Sequence, residues 1–276
     1  TVIYEVFPEA LDHGCEGGSF TVTVTVNPLP DLGDYDTTFC SNGTIAHNLT
    51  NNMADTGNQV NSTYSWTAMA DSGITGGQSG NGNIISNTIV NQTGNAGNVI
   101  YQVTAVSTEG CTGHIDNIIA TVNPEPVGND GDTAICSGLA IDFPLQDSIT
   151  NGVMSNFVWF ADANSNVDSF TANPDSAIGD FIIDVPVNTG NTEILTYHVI
   201  PTSEGPNCVG DTFRVVVTVE VEPVGDTISF EYCSGLPLDL NLQDSLENTV
   251  AADFSWTSTA DSFVSGASND SADSIL

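Results

Sequence analysis

Wherever the chain carries a long apolar stretch, apolar and polar residues alternate. Phe213, Val215, Val217 and Val219 fall on one face and Arg214, Val216, Thr218 and Glu220 on the other; Phe20, Val22, Val24 and Val26 stand in the same way against Thr21, Thr23 and Thr25. A period of two is what a half-buried strand requires, because successive side chains leave opposite faces of the pleat. Tyr101-Gln102-Val103 and Tyr197-His198-Val199-Ile200 predict a preceding strand, and the Gly/Asn/Glu-rich stretch between each pair of strands predicts a hairpin. About seven short strands to each ~100 residues, with turns every ~8–12, predict an all-β chain of tandem immunoglobulin-like β-sandwich domains in a rod-like array.

The cysteines reveal an internal repeat. They stand at 15, 40, 111, 136, 208 and 233, with gaps of 25, 71, 25, 72 and 25, so equivalent cysteines recur every 96 or 97 residues. Trp66, Trp159 and Trp256 follow Cys40, Cys136 and Cys233 by 26, 23 and 23 residues, and Tyr4, Tyr101 and Tyr197 precede Cys15, Cys111 and Cys208 by 11, 10 and 11. These aromatic residues are the predicted core, each tryptophan pointing inward from a third strand. Whole phrases return as well. Ile135-Cys136-Ser137-Gly138-Leu139 becomes Tyr232-Cys233-Ser234-Gly235-Leu236, and Leu145-Gln146-Asp147-Ser148 becomes Leu242-Gln243-Asp244-Ser245. Each unit closes on a valine- or isoleucine-rich strand and a proline, which stops pairing and stiffens the joint. The expected frame is the last strands of one unit in 1–30, complete units in 31–126 and 127–223, and the first half of another in 224–276. The two halves leave the counterparts of 180–193 unsupplied, so the expectation is a window on a longer repetitive protein. Thr1 falls within a strand pattern without a leader peptide, which fits a mature chain or a segment of one.

Composition narrows the function. A single Lys or Arg, Arg214, stands against 35 Asp and Glu, for a net charge of −34. Without lysine there is no Schiff base, phosphate-loop lysine or isopeptide cross-link. Without a basic patch neither nucleic acid nor an anionic membrane surface is a plausible partner. At 39% hydrophobic and 13% charged, the chain has the apolar residues for a core that disordered acidic chains lack. No apolar run approaches the ~20 residues that span a bilayer.

Regular cysteines in such a chain point to an oxidising compartment. In a sandwich, the chain enters at one pole and the hairpin of the last two strands returns to that pole. The expected bonds are therefore Cys40–Cys111 and Cys136–Cys208, with Cys15 and Cys233 joined to partners outside the segment. A Cys111–Cys136 bond would have to cross a strand ~33 Å long, against the ~7 Å that a disulfide tolerates.

Cys136-Ser137-Gly138, the mid-domain Trp159, Tyr197-His198-Val199-Ile200-Pro201-Thr202, Asn207-Cys208-Val209-Gly210, Cys111-Thr112-Gly113 and Thr121-Val122-Asn123-Pro124-Glu125-Pro126 together resemble the PKD-like, Ig-like repeats of giant bacterial surface adhesins exported by the type 9 secretion system. The resemblance covers the whole chain. It implies an extracellular, repetitive stalk or appendage without catalytic residues. It departs from antibody domains, whose disulfide joins the two sheets near the tryptophan.

Few residues suggest chemistry. Asp31, Asp34 and Asp36 after one proline joint, and Asp130 and Asp132 after the next, are the candidates for calcium, which takes six or more oxygens. Asp162-Ala163-Asn164-Ser165-Asn166-Val167-Asp168 begins like a calcium loop but lacks its glycine and terminal glutamate, and reads as a polar turn. His13 and His114 lie near cysteines that a disulfide would withhold from zinc, so they read as surface histidines; His47 and His198 have no partner in the sequence. Gly77-Gln78-Ser79-Gly80 is not a nucleophile elbow, and no other catalytic constellation is present. Asn-x-Ser/Thr triplets at Asn42, Asn48, Asn61, Asn91 and Asn269 read as chance in Asn- and Thr-rich text.

The expected function is structural and non-enzymatic: a disulfide-stapled rod of a bacterial surface adhesin or appendage, with flanking repeats of the same chain as partners. The alternatives are a subunit of an ordered multi-chain filament or hook, in which further copies of the chain are the partners, and a carbohydrate-binding module. No membrane insertion is expected, and the tryptophans, sharing one repeat position, fit a core better than a sugar platform.

Overall fold

Among the described residues, two five-stranded sheets with the same strand order contain most of the strand residues. In the first, Tyr35–Cys40, Thr112–Asn123, Gly97–Ser107, Ser62–Ala70 and Gly80–Asn81 lie side by side. In the second the order is Gly131–Cys136, Phe213–Glu220, Glu193–Ser203, Ser155–Ala161 and Ala177–Ile178. The computed structural model describes residues 1–275 except Thr189, Pro237, Thr249, Ser268 and Asp273. The chain divides into two units, one of Thr1–Glu125 with Asn151–Val153 and Ser203–Cys208, the other of Pro126–Thr150, Met154–Thr202 and Val209–Leu276.

The first unit forms as the alternation dictates. Strand Gly97–Ser107 buries Val99, Tyr101, Val103 and Ala105, and its hairpin partner Thr112–Asn123 buries Ile118, Ala120 and Val122. The opposite layer consists of short ladders, Thr44–Asn48 with Ile84–Thr88 and Ile74–Thr75 with Val90–Asn91, which contribute Ile45, Ile74 and Ile85. A helix, Leu49–Asp55, closes the same core with Leu49 and Met53. Its N-cap is Asn48, whose side chain accepts from Thr50 N and Asn51 N, satisfying amides that a helix start leaves open. Strand alternation did not predict this helix. Apolar burial of this kind contributes about 25 cal/mol per Å², enough for each sandwich to carry its own core.

The second unit repeats the plan. Phe213, Val215, Val217 and Val219 face Leu195, Tyr197 and Val199, with Phe157, Trp159, Leu145 and Ile182 filling the space. A 3₁₀ turn, Gln146–Ser148, stands where the first unit has its helix. This explains the repeated Leu-Gln-Asp-Ser phrase: Leu145 is fully buried, and Gln146 accepts from Ser155 N, as Gln243 does from Ala252 N.

The tyrosines and tryptophans predicted as core separate into two groups. Tyr101 and Tyr197 are 0% exposed, Trp159 is 2% exposed and Trp66 is buried. Tyr4 is 54% exposed and Trp256 is half-buried, which corrects the expectation for those two. The reason is local. Tyr4 lies on the hairpin Val2–Val6 with Phe20–Val24, which among the described residues is a sheet of two strands only. Trp256 lies in a two-residue ladder, Ser255–Trp256 with Asp270–Ser271.

In each five-stranded sheet the first strand runs parallel to the last: Tyr35 pairs with Ile118 and Cys40 with Asn123, and Cys136 pairs with Glu220. That geometry overturns the expected disulfides. Cys40 lies at the far end of its strand, level with the last residue of Thr112–Asn123, whereas Cys111 lies just before the first. Twelve residue steps at about 3.3 Å separate those levels by about 40 Å, beyond any disulfide. The same argument separates Cys136 from Cys208. Cys40 is instead bonded to Cys208, with Cα atoms 5.5 Å apart and a sequence separation of 168, while Cys15, Cys111, Cys136 and Cys233 carry free thiols.

Candidate functional site

The cross-link is built from two recurring local structures, a turn and a hairpin tip. The turn follows the first strand. Gly43 N donates to Cys40 O at 3.0 Å, Leu139 N to Cys136 O at 3.2 Å and Leu236 N to Cys233 O at 3.4 Å. The third residue of each turn has positive φ: Asn42 at 60°, Gly138 at 78° and Gly235 at 84°. Only glycine, or asparagine at a small penalty, takes that conformation readily, which accounts for the Cys-Ser-Gly and Cys-Ser-Asn phrases. The serine is a structural partner. Ser41 N donates to Asn123 O and Ser137 N to Glu220 O, both at 2.8 Å, extending the parallel ladder past the cysteine.

Behind the first two turns lies a buried asparagine. Asn91 N donates to Ser41 Oγ and Asn188 N to Ser137 Oγ. The Asn91 amide donates to Val122 O and Asn95 O, and the Asn188 amide to Val219 O and Asn191 O. Each asparagine thus ties the end of the last strand to the loop facing it and satisfies carbonyls that burial would otherwise leave unpaired.

The hairpin tip is also duplicated. Ser107 N donates to Cys111 O at 2.9 Å and its Oγ accepts from Cys111 N at 3.1 Å; for Ser203 and Cys208 the corresponding distances are 2.8 and 2.9 Å. Two residues on, Gly113 packs against the Pro30 carbonyl and Gly210 against the Pro126 carbonyl, so closely that a Cβ at either would collide with the oxygen. The glycine two residues after each of these hairpin cysteines, Gly113 and Gly210, is therefore the seat of the hairpin on its proline joint. These groups escaped the reading of cysteine spacing alone, yet Ser41 and Ser137, Asn91 and Asn188, Ser107 and Ser203, and Gly113 and Gly210 keep the same period of 96 or 97.

The family model of the PKD-like domain matches residues 1–30, 37–126 and 133–223. The chain belongs to the PKD-like domain family. No curated protein matches the sequence. Among solved structures, the fibronectin(III)-like modules of Clostridium thermocellum CbhA are 9% identical with a TM-score of 0.24, covering 72% of this chain and 96% of that one. Mouse PcdhgC3 EC1-3 is 10% identical with a TM-score of 0.28 over 80% of this chain and 76% of that one, and human CDH23 EC21-23 is 11% identical with a TM-score of 0.26 over 75% and 76%. Likeness at this level says nothing further about the PKD-like repeats.

The aspartates proposed for calcium serve the PKD-like repeats in several ways. Asp34 Oδ1 accepts from Asn117 N and Asp130 Oδ1 from Arg214 N, both at 2.7 Å, each clamping the start of the first strand to the last. Asp36 and Asp132 are exposed on the edge strands, where charge discourages pairing with another chain. Asp31 gives its backbone carbonyl to Thr56 Oγ1. The carboxyl of Asp116, buried beneath this joint, accepts from Leu32 N; burial raises its pKa, opposed by the Leu32 N–H and reinforced by the charges of Asp31 and Asp34. Among the described residues no group of three or more His, Cys, Asp or Glu is arranged to hold a metal ion. In the stretch that begins like a calcium loop, the amides of Asn164 and Asn166 donate to Glu193.

His198 and His47, which lacked partners in the sequence, find them in space. His198 contacts Asp162 at 3.1 Å and stacks on Phe160; His47 stacks on Tyr35, and burial lowers its pKa. Trp66 donates its indole N–H to Gln78 O, Tyr101 its hydroxyl to Asn87, and Tyr197 its hydroxyl to Asp184. Burial pushes Tyr101 up to about 12, and burial followed by the Asp184 charge raises Tyr197 further. These hydroxyls stay protonated donors, holding the core to the loops across it.

Proposed function

We propose that the chain is a structural, non-enzymatic segment of a long extracellular repeat protein, a disulfide-stapled rod of a bacterial surface adhesin or appendage. One observation carries the reading: a bond between cysteines 168 residues apart joins the turn of one PKD-like repeat to the hairpin of the next, while each repeat buries a core of its own. Such a bond needs an oxidising location, which supports an extracellular place. A covalent link between successive repeats also resists pulling without calling on any catalytic group. Export by the type 9 system belongs to the same proposal and rests on the likeness of the repeat phrases. No helix among the described residues is long and apolar enough to cross a membrane.

Small-angle scattering on the oxidised chain tests the rod. A single globule of this length would have a radius of gyration of about 19 Å; a rod gives a value well above it, and a result near the globular figure overturns the proposal. A second reading, a subunit of an ordered multi-chain appendage, makes further copies of the chain its partners. Electron microscopy separates the two: single thin particles support the stalk, and symmetric thicker assemblies support the appendage.

A further inference from the structure

We propose that the Cys40–Cys208 bond is one rung of a repeating cross-link, and that Cys136 and Cys111 each supply half of a further rung: Cys136 takes the hairpin cysteine of a following PKD-like repeat, and Cys111 takes the turn cysteine of a preceding one. The inference rests on the reading of the chain as a tandem structural array and names its covalent partner.

Equivalence at the level of backbone geometry carries it. Cys136 occupies the same turn as the bonded Cys40, with the same i to i+3 hydrogen bond, the same positive-φ third residue and the same serine–asparagine support. Cys111 occupies the same hairpin tip as the bonded Cys208, held by the same pair of bonds to the serine four or five residues before it and followed by the same seated glycine. A turn cysteine and a hairpin cysteine in these settings do bond when they stand 168 residues apart. No position of this chain lies 168 residues after Cys136 or 168 before Cys111, and both thiols are free; Cys136 is exposed. Cys233, in the turn setting, and Cys15, on the first hairpin, take the same two roles.

Formation of each rung is a two-electron oxidation. Two thiols lose two protons and two electrons, one S–S bond forms, and a dithiol–disulfide oxidant accepts both, its own disulfide becoming a dithiol. The partner is thereby defined chemically as another PKD-like repeat with its cysteine in the complementary setting.

The test uses the full chain and two extended forms, one with residues 127–223 duplicated in tandem and one with residues 31–126 duplicated. Each is prepared oxidised and mapped by mass spectrometry of non-reduced peptides. In the unextended chain the expected result is a Cys40–Cys208 peptide, with Cys111 and Cys136 taking up maleimide. In the first extended form Cys136 becomes joined to the hairpin cysteine of the added copy. In the second, the Cys111 of the added copy becomes joined to the Cys40 of the copy before it. A Cys136–Cys208 or Cys40–Cys111 peptide within one repeat overturns the proposal, as does maleimide uptake by Cys136 in the first extended form while Cys40–Cys208 stays intact. Scattering on the same samples keeps the rod separate. A maximum dimension that grows with the added repeat while Cys136 stays free refutes the rung and leaves the rod; a formed rung without growth refutes the rod.

Discussion

Replacing both Cys40 and Cys208 with serine removes a cross-link that closes a loop of 168 residues. In the chain-entropy treatment the bond lowers the entropy of the unfolded chain by about 2.1 + 1.5R ln n cal/mol/K, which for this loop is about 5 kcal/mol at 25 °C. The loop contains most of both complete repeats, so the loss falls on both. In guanidinium, with a slope of a few kcal/mol per molar, the midpoint of the oxidised chain is expected to fall by about 1 M in Cys40→Ser/Cys208→Ser. The two repeats, no longer tied, are expected to unfold in separable transitions. The control is Cys111→Ser/Cys136→Ser, which alters thiols that are unbonded in this chain and is expected to stay within about 0.5 kcal/mol of the parent. A loss below about 1 kcal/mol in the first variant refutes the loop-closure reasoning. An equal loss in the second would show that bonds form within repeats, contrary to the parallel pairing of first and last strands.

Three other predictions concern the supports of the cross-link. Gly210→Ala drives a methyl into the Pro126 carbonyl, which as backbone cannot step aside, and is expected to cost about 1–3 kcal/mol in denaturant unfolding; a neutral result would mean that the hairpin is not seated on the joint. Asn91→Ala strips the buried Val122 carbonyl of a donor and is expected to cost about 1–3 kcal/mol, checked by the same assay; a change under about 0.5 kcal/mol counts against the asparagine as a tie. Asp116 has its pKa raised from an ordinary value of 3.8, so the folded protein keeps a proton there that the unfolded chain has released. Its contribution is present in full below the unfolded value and is lost as the pH rises through the folded one. The stability of Asp116→Asn relative to the parent should therefore improve as the pH rises from the unfolded value through the folded one, and a difference that does not change with pH refutes it.

The strands and the repeat were legible because each rests on local rules. Phe213 to Glu220 alternates because one face meets a core, and the cysteine, tryptophan and tyrosine spacings agree because every copy must place them at the same point of the same sandwich. The buried positions of Trp159, Tyr101 and Tyr197 follow directly. Tyr4 does not, since burial of a strand residue depends on a facing layer that alternation cannot supply. The helix Leu49–Asp55 was hidden by its brevity: seven residues offer too few turns for a 3.6-residue period to stand out among Asn and Thr. The aspartates at the joints looked like cation ligands by type, and only space showed Asp34 and Asp130 clamping amides more than 80 residues away.

The sequence by itself determined the all-β character, the period of 96 or 97 residues, the core positions of Trp66, Trp159, Tyr101 and Tyr197 and the absence of lysine, because propensity, periodicity and composition are properties of short stretches and simple counts. Which cysteines meet was decided by tertiary structure alone. The parallel pairing of Tyr35–Cys40 with Thr112–Asn123 carries Cys40 the length of a strand away from Cys111, and places it with the hairpin tip Ser203–Cys208 of the next repeat. Strand direction within a sheet is settled by packing between residues far apart in the chain, and a regular spacing of cysteines is compatible with either direction.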